Sequence, residues 1–414
     1  MHTELESQSI FHKFPLLEPM RKRNFFLFWL GFSLTLVTNI SFLFAITIEG
    51  YRLTGSGTTA GVINSLFQAS WLMIMLFAGV LIDRMSRRLI IIIVNLLRSV
   101  LLFTLVIIMQ SGVLSVEHLY IAAFLMGLAS AFDGPASTAI LPMLVRRKQI
   151  VAANSLLAFA SRGGMVGGAI FGSRLISETS TSNAIMVMAL TSMFAAFCVS
   201  LIIVKEKHII SQPRSVGYIL RQLWQGVIYA ISVPWLWLTI LIFAMLNVTI
   251  YGPWRIGLPL LSEIGDGLNL EALYLMGGLG ALLVTITLGQ LRRVSKPGRV
   301  MYMAVIAKGV GILLVGMFGS SPIGLIGALL VGGGAMAFGT TWAVMVQSHV
   351  PADKLGRVSS IDGVGSFMLT PIGFAAVGKM GETSGVSSIF LVGGVLTIVL
   401  GIFALSLPVF RRLN

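Results

Sequence analysis

Long apolar runs separated by short polar breaks make up most of this chain. Each run has roughly twenty residues or more, the length that an α-helix needs to cross the ~30 Å hydrocarbon core of a bilayer. The pattern therefore predicts an all-α integral membrane protein with twelve transmembrane helices, spans 1 to 12. Their predicted ranges are 24–50, 59–82, 88–110, 117–142, 151–175, 183–204, 233–257, 269–291, 299–318, 322–347, 355–379 and 384–408.

The widest polar interval between two spans divides the twelve into two sets of six. Sliding the sequence against itself by 210 residues places Arg98 on Lys308, and sliding by 205 aligns residues 144–156 with residues 349–361. A repeat of this kind predicts two pseudo-symmetric six-helix bundles, with a substrate site near the bilayer midplane between them. The predicted domains are a cytoplasmic tail at 1–23, a first bundle at 24–204, a cytoplasmic linker at 205–232, a second bundle at 233–408 and a cytoplasmic tail at 409–414.

Composition and charge narrow the function classes. Of 414 residues, 56% are hydrophobic and 11% are charged, and the net charge is +14. The basic residues are scattered through short loops and are not gathered on a soluble domain, so no nucleic-acid partner is expected. The single cysteine, Cys198, excludes a disulfide within the chain, and no metal site is expected. If the N-terminus is cytoplasmic, 22 of the 29 lysines and arginines lie on the inner side, which favours that topology for both termini.

A polar motif interrupts the apolar pattern between spans 2 and 3. The stretch GVLIDRMSRR carries Gly79, Asp83, Arg84, Arg87 and Arg88 at the spacing G-x-x-x-D-R-x-x-R-R. This spacing resembles the loop signature of the major facilitator superfamily. Further stretches are similar to its macrolide-efflux and enterobactin-exporter branch, namely FWLGFSLTLV, TGS, AFDGPASTAILPMLV, AANSL and VPADKLGRVSSI.

The resemblance implies a secondary transporter in a bacterial-type inner membrane, acting as a monomer. Its expected function is export of small amphipathic molecules, drugs or siderophores, by alternating access. The expected energy source is an ion gradient, usually of protons, without a cofactor. A nutrient importer or uniporter of the same fold is the alternative, and a channel-like or lipid-moving protein is a third class. The sequence has neither a phosphate-binding loop nor an acid, histidine and nucleophile at one membrane level, so no enzyme is predicted.

The same resemblance implies a role for the acid in the loop motif. In similar proteins this acid closes the cytoplasmic side by contacting the start of span 11, where Arg357 is an available cation. We therefore predict that Asp83 is a conformational latch. The second copy of the motif, at residues 289–299, has Arg293 in place of the acid. The loop arginines either bind lipid phosphates or take part in gating, and the sequence leaves both open.

Charges inside spans are costly and usually face a partner or a water-filled cavity. At ~1.5 Å per residue, Asp133 in span 4 and Arg162 in span 5 lie at a similar depth of about 17–18 Å, so they are predicted to pair. Arg98 in span 3 is a second cation for the same acid. For Lys308, its repeat counterpart, the proposed acid is Asp362. Asp133 is then either a structural lock or a proton carrier.

Other polar and aromatic residues have two interpretations each. Glu49, near the outer end of span 1, is either an interfacial carboxylate or a binding group for a cationic substrate. Asn39 hydrogen-bonds either substrate or a neighbouring helix. Three aromatic residues are candidates for the wall of a substrate cavity, although such residues commonly pack between helices or face lipid: Trp71, Phe124 and Trp342.

Overall fold

A computed structural model describes residues 15–204, 224, 227–264, 268–290, 296–351 and 354–411. Within these ranges, the side chains at 15–16, 76–84, 151, 289–290, 355–357, 360 and 411 lie outside the description. The described secondary structure consists of helices and turns, without a strand. The all-α prediction is therefore confirmed.

The described helices run from Arg23 to Arg411, and those up to Ser200 are joined by short turns. After a 3-10 helix at Pro15–Arg21, they are α1 (Arg23–Thr54), α2 (Gly57–Arg84), α3 (Arg87–Gln110), α4 (Val116–Ser130), α5 (Asp133–Leu144), α6 (Ile150–Glu178), α7 (Thr181–Ser200), α8 (Pro234–Gly252), α9 (Leu258–Ile264), α10 (Leu270–Gln290), α11 (Pro297–Phe318), α12 (Pro322–His349), α13 (Leu355–Phe367), α14 (Thr370–Ser384), α15 (Val386–Ser406) and α16 (Pro408–Arg411).

Most of the predicted spans are visible as single or paired helices. Among the described residues, eleven stretches are long and apolar enough to cross a membrane. The remaining span corresponds to α2, a helix of 28 residues that includes the side chains outside the description. Span 4 consists of α4 and α5, span 7 of α8 and α9, and span 11 of α13 and α14.

Local sequence signals set the helix ends. Ser86, Ser180 and Ser321 each accept a hydrogen bond from the backbone N–H three residues ahead, at 3.1, 3.1 and 3.4 Å, and so satisfy a free donor at a helix N-terminus. The turn after α1 contains Gly55 with φ of 64°, and the turn after α3 contains Gly112 with φ of 74°. Glycine adopts this left-handed conformation without steric cost, which allows the chain to reverse within a few residues.

Three spans are broken along their length, each of them at or beside a proline. Span 4 is interrupted between Ser130 and Asp133, and Pro135 follows. In span 7, a π-helix at Pro253–Gly257 joins α8 to α9. Span 11 is interrupted before Thr370, and Pro371 follows. Proline lacks the N–H that continues the helical ladder, so irregular backbone is expected near each of them.

The chain forms two compact units. Unit 1 comprises Met1–Ala45 and Met73–Gln212, and unit 2 comprises Ile46–Leu72 and Pro213–Asn414. The last turns of α1 and the first half of α2 therefore belong with the C-terminal helices. The predicted boundaries at 205–232 stay a prediction, because most of that linker lies outside the described residues.

Within unit 1, α6 packs closely along α1. A Cβ added at Gly164 or Gly168 would lie 2.9 Å from the Cβ of Leu36 or Ile40, and one at Gly172 would lie 2.9 Å from the Cα of Ser41. The hydroxyl of Ser41 donates to the carbonyl of Gly168 at 2.6 Å. The four-residue glycine spacing thus forms a seam that lets two backbones approach, as small residues do between membrane helices.

Candidate functional site

A buried polar cluster lies at the centre of unit 1. Arg98 of α3 is fully buried, and its Nη2 lies 3.1 Å from Oδ2 of Asp133 at the start of α5. Its Nη1 donates to Oδ1 of Asn95 at 2.8 Å, and the Thr35 hydroxyl of α1 donates to the same oxygen at 2.9 Å. Asn39 Nδ2, also in α1, donates to Asp133 Oδ2 at 2.8 Å. Three spans therefore meet at one carboxylate.

The break in span 4 places this carboxylate at a helix N-terminus. Asp133 is the first residue of α5, where the unpaired backbone N–H groups carry partial positive charge. Its backbone carbonyl accepts from the Ser137 hydroxyl at 2.6 Å. A small cavity of about 20 Å³ adjoins the cluster and is lined by Thr35, Asn95, Asp133 and Ser137 among others. A helix N-terminus, a guanidinium and an amide therefore converge on this carboxylate.

The partner predicted for Asp133 from depth alone is not the one that the structure shows. Asp133 binds Arg98, whereas the side chain of Arg162 in α6 is exposed. The rise per residue gives the height of a charge in the membrane, but it does not give the direction in which the side chain leaves the helix. Arg98 was the second candidate in the sequence, and it is the cation that faces Asp133.

The basic residues after α2 contact the end of another helix. Arg88 donates from Nε to the carbonyl of Val199 at 3.3 Å and from Nη2 to that of Ser200. These carbonyls end α7, so the guanidinium adds donors at the negative end of a helix dipole, where the Val199 carbonyl also accepts from the Ile202 N–H at 3.2 Å. At the same end of unit 1, burial and the neighbouring Arg146 lower the pKa of Lys22, and Glu18 opposes this effect. Arg88 thus has a helix-capping contact that neither of its predicted roles included.

The predicted latch cannot be placed by its side chains. Gly79, Asp83 and Arg84 lie in the part of α2 whose side chains are outside the description, and so does Arg357. Arg87 is partly buried at the start of α3. The latch stays a prediction.

Unit 2 holds a buried cation in a different setting. Lys308 of α11 is 4% exposed, and its Nζ lies 5.6 Å from the ring centroid of Phe338 in α12. Its stem packs against Gly334, where an added Cβ would meet Cγ of Lys308 at 2.5 Å. Among the described side chains, the ion pairs found do not include Lys308. Contact with the face of an aromatic ring replaces the expected carboxylate.

Asp362 makes other bonds instead of pairing with Lys308. Its Oδ2 accepts from Nε1 of Trp342 at 2.8 Å, and its Oδ1 accepts from the Ser366 hydroxyl at 2.9 Å. Trp342 in turn packs edge-on against Trp235, with ring centroids 5.8 Å apart. Two neutral donors therefore satisfy this acid, and the expected Lys308–Asp362 pair does not form.

We expect Lys308→Met to leave the free energy of unfolding unchanged or to raise it by up to about 2 kcal/mol, because a buried charge without a carboxylate partner is replaced by an apolar chain of similar shape. The readout is a cysteine in the same unit: with Cys198 replaced by serine, Thr397→Cys puts the single thiol at a fully buried position of unit 2, where it reacts with a fluorogenic maleimide as that unit unfolds. If Lys308→Met exposes this thiol at a clearly lower temperature than the parent background does, Lys308 has a stabilising anionic partner.

A set of polar contacts ties the turn between α1 and α2 to other parts of unit 2. Arg52 bonds in a bidentate manner to Glu263 of α9, with Nε–Oε2 at 2.7 Å and Nη2–Oε1 at 2.9 Å. Glu382 of α14 accepts from the Ser56 hydroxyl at 2.5 Å and from the Thr58 N–H at 3.1 Å. Bidentate arginine–carboxylate pairs hold both groups in a fixed geometry. We refer to Arg52, Ser56, Thr58, Glu263 and Glu382 as the turn clamp.

Glycines bring α2 and α14 into backbone contact beside the turn clamp. A Cβ at Gly57 would lie 2.7 Å from the carbonyl oxygen of Gly378, and one at Gly61 would lie 2.5 Å from that of Phe374. Real Cβ atoms do not approach backbone this closely, so only glycine fits at these two positions. The turn clamp and the glycine contact together hold the start of α2 against α14 at this end of unit 2.

The remaining candidates have varied surroundings. The indole of Trp71 is partly buried, with its ring centroid 6.0 Å from that of Phe367. Phe124 is partly buried in α4, and Trp342 serves as a donor to Asp362. Glu49 is partly buried in α1, one turn before Arg52. Asn39 bonds a neighbouring helix through Asp133, which is one of its two predicted roles.

Comparison with known proteins gives the family of this fold. The family model of the Major Facilitator Superfamily matches residues 24–369. The chain belongs to this superfamily. As a member, it is a multi-pass membrane transporter.

Two relatives in the superfamily align over nearly their whole length. Macrolide efflux protein A of Streptococcus pyogenes is 22% identical over 400 residues, which cover 95% of this chain and 98% of that protein. Multidrug efflux pump Tap of Mycolicibacterium fortuitum is 22% identical over 371 residues, covering 87% and 90%. Among solved structures, the nucleoside transporter NupG superposes with a TM-score of 0.69 at 15% identity, covering 93% of this chain and all of that one. This last similarity concerns the fold.

Several site residues of this superfamily member were not among the sequence candidates. Asn95 bridges Thr35 and Arg98, and the turn clamp depends on Glu263 and Glu382. The sequence indicated only that oppositely charged residues of the turn clamp lie on the same side of the membrane. Arg52 is one of four basic residues in the predicted outer loops, and two acids stand at the ends of later spans on the same predicted side.

Proposed function

We propose that this protein exports small amphipathic molecules of the drug or siderophore class and that the proton gradient drives this export. The two relatives that align over most of its length are named as efflux proteins. The similarity to a nucleoside transporter is one of fold at 15% identity, so it gives the importer alternative less support.

The observation that supports proton coupling is the partly buried carboxylate of Asp133. It is shared by Arg98 and Asn39, and its side chain keeps 14% exposure next to the small cavity. Oδ1 of Asn39 is buried beside it without a hydrogen-bond partner in the described structure. When a change of conformation moves Arg98 away, this acid can bind a proton, and the protonated carboxyl can donate to the free Oδ1 of Asn39.

Protonation of Asp133 would change the contacts among three spans. A neutral acid cannot form the charge-assisted bonds to Arg98 that the carboxylate forms, and Arg98 then loses its counter-ion. The free energy that favours this packing of α1, α3 and α5 therefore depends on the proton. A transporter whose two conformations bind this proton with different affinity couples its conformational change to the proton gradient.

Topology and gating complete the proposal. The excess of lysine and arginine in one set of loops supports an inner-membrane location with both termini in the cytoplasm. Asp83 and Arg357 then form the latch at the cytoplasmic side, and the turn clamp lies on the opposite side of the membrane. The protein functions as a monomer without a cofactor.

Transport assays in cells that lack their own exporters test the proposal. Candidate drugs and siderophores are first screened for resistance conferred by the parent, and uptake is then measured in inverted vesicles with and without an uncoupler. We expect Asp133→Asn to reduce proton-driven uptake to the level of empty vesicles, also at temperatures low enough that Cys198 of this less stable variant stays protected. The matched control is Glu178→Gln, which neutralises an exposed acid of unit 1 that pairs with Arg174.

Two results would contradict the proposal. Uptake that an uncoupler leaves unchanged would exclude proton coupling. Full transport by Asp133→Asn would show that Asp133 is not the acid that couples transport to the proton gradient.

A further inference from the structure

A deep apolar groove separates α3 from α4 in unit 1. It has a volume of about 560 Å³ and extends along α3 from Val94 to Ile108. At ~1.5 Å per residue these two positions are about 21 Å apart, compared with ~15 Å for the hydrocarbon of one leaflet. The groove is therefore long enough to hold an extended hydrocarbon chain from one interface to beyond the midplane.

The walls of the groove are almost entirely hydrocarbon. Of its fifteen lining residues, the polar ones are Arg98, Thr104 and His118. The Thr104 hydroxyl donates to the carbonyl of Val100 at 2.9 Å, and two guanidinium nitrogens of Arg98 bond Asn95 and Asp133. Small side chains, Ala122 and Ala129, give the α4 wall its depth. A polar molecule would find few bonding partners along this wall.

The rim of the groove shows what surrounds it. Leu97 and Val100 on α3 are about three-fifths exposed, and Ile121 and Leu125 on α4 are also exposed. All four lie in stretches that are long and apolar enough to span a membrane. Exposed aliphatic side chains within membrane-spanning stretches face bilayer hydrocarbon. The groove therefore opens to lipid along its length.

One end of the groove differs from the rest. His118 lies in the first turn of α4, and its Nδ1 bonds the hydroxyl of Ser115 at 2.8 Å. The opposite end reaches Phe132 and the buried Arg98. His118 thus places a polar group at one helix end of the groove, and the walls between it and Arg98 are aliphatic apart from Thr104, whose hydroxyl is bonded within its own helix. A phospholipid standing in its leaflet has the same order, with its polar headgroup at one end and its acyl chain beyond it. An amphipathic molecule lying deeper would have to place its polar part against aliphatic walls.

We propose that this groove is a binding site for one acyl chain of a membrane phospholipid, held with its headgroup near His118. Bilayer hydrocarbon is as apolar as the groove, so the binding free energy comes from close dispersion contact and shape.

A photoreactive lipid tests the site in the full-length protein. The probe is phosphatidylglycerol with a diazirine in its acyl chain, present in vesicles of phosphatidylethanolamine and phosphatidylglycerol, and the labelled residues are located by peptide mass spectrometry. We expect labelling to concentrate on the groove walls of α3 and α4, and to fall when unlabelled phosphatidylglycerol is added. Ala129→Phe, which fills the wall, should reduce the labelling about tenfold, or by about 1.4 kcal/mol of binding free energy.

Leu190→Phe is the matched control, because Leu190 is an exposed apolar residue of α7 outside the groove. Its labelling should equal that of the parent. Labelling spread evenly over α3, α4 and α7 and insensitive to unlabelled lipid would overturn the proposal, and this result does not depend on the folding of any variant. Displacement of the label by a transported drug, but not by lipid, would also overturn it, since the groove would then be an entry path for substrate.

Discussion

Arg98→Met will lower the free energy of unfolding by about 3 kcal/mol or more, the range found when one partner of a buried ion pair is removed. Arg98 is fully buried and donates to both Asp133 and Asn95. Methionine fills much of the space but donates no hydrogen bond. The Asp133 carboxylate would keep Asn39 as its side-chain donor, inside a low-dielectric interior where an uncompensated charge is costly. Thiol reactivity of the single cysteine during heating gives the measurement.

Two further variants separate the ion pair from general damage. Arg162→Met is the matched control, because it removes the exposed arginine that depth alone would pair with Asp133, and it should change stability little. Adding Asp133→Asn to Arg98→Met should recover part of the lost stability, since the unpaired charge is gone, and the two effects should not add. Equal destabilisation by Arg98→Met and Arg162→Met would show that the pair described in unit 1 is not the one that stabilises the protein.

Gly61→Ala will force α2 away from α14 at the end of unit 2 that carries the turn clamp. Its Cβ would lie 2.5 Å from the carbonyl oxygen of Phe374 and 3.0 Å from Cα of Gly378, both of them backbone atoms that cannot rotate aside. Overpacking of this kind typically costs about 1–3 kcal/mol. We expect the cost to fall on the conformation in which α2 and α14 touch, and therefore to slow any transport cycle that passes through it.

Cysteine cross-linking measures this effect directly. In a background with Cys198 replaced by serine, cysteines replace Ser56 and Glu382, whose side chains meet in the turn clamp. Because cysteine is shorter than glutamate, a short bifunctional thiol reagent joins the two, and this cross-linking should be rapid with Gly61 and slow with Gly61→Ala. Gly277→Ala is the control within unit 2, because its Cβ would lie at an ordinary 3.5 Å from the carbonyl of Ala328. Equal cross-linking rates in both variants would mean that the glycine contact does not determine closure.

The sequence predicted the helices well because the bilayer places a strict requirement on each membrane span. Bilayer hydrocarbon requires about twenty apolar residues per span, so span positions can be read from composition alone. The same cost identified Asp133, Arg98 and Lys308 as residues of interest, since charges inside spans are rare without a reason. The resemblance to the major facilitator superfamily, based on the motif at residues 79–88, is confirmed by the family match.

Pairings between side chains were less predictable, for geometric reasons. Asp133 and Arg162 have a similar predicted depth. A helix turns 100° per residue, however, so the depth of a residue does not tell which face of the helix its side chain occupies. The predicted pair of Lys308 and Asp362 was also wrong, because Trp342 and Ser366 donate hydrogen bonds to the acid. The turn clamp joins residues 211 and 326 positions apart, and no local pattern connects them. Such contacts depend on the tertiary packing of whole helices.

The contact between Lys308 and Phe338 also has an evolutionary meaning. The repeat at a spacing of 205 places Phe338 at the position of Asp133, and the spacing of 210 places Lys308 at that of Arg98. After a gene duplication, an aromatic ring in place of the acid lets one copy keep its ancestral cation without a counter-ion. Under the proposed coupling at Asp133, selection maintains an ion pair in one repeat, while the other repeat keeps a purely structural contact. In that proposal the two halves divide the work of energy coupling unequally.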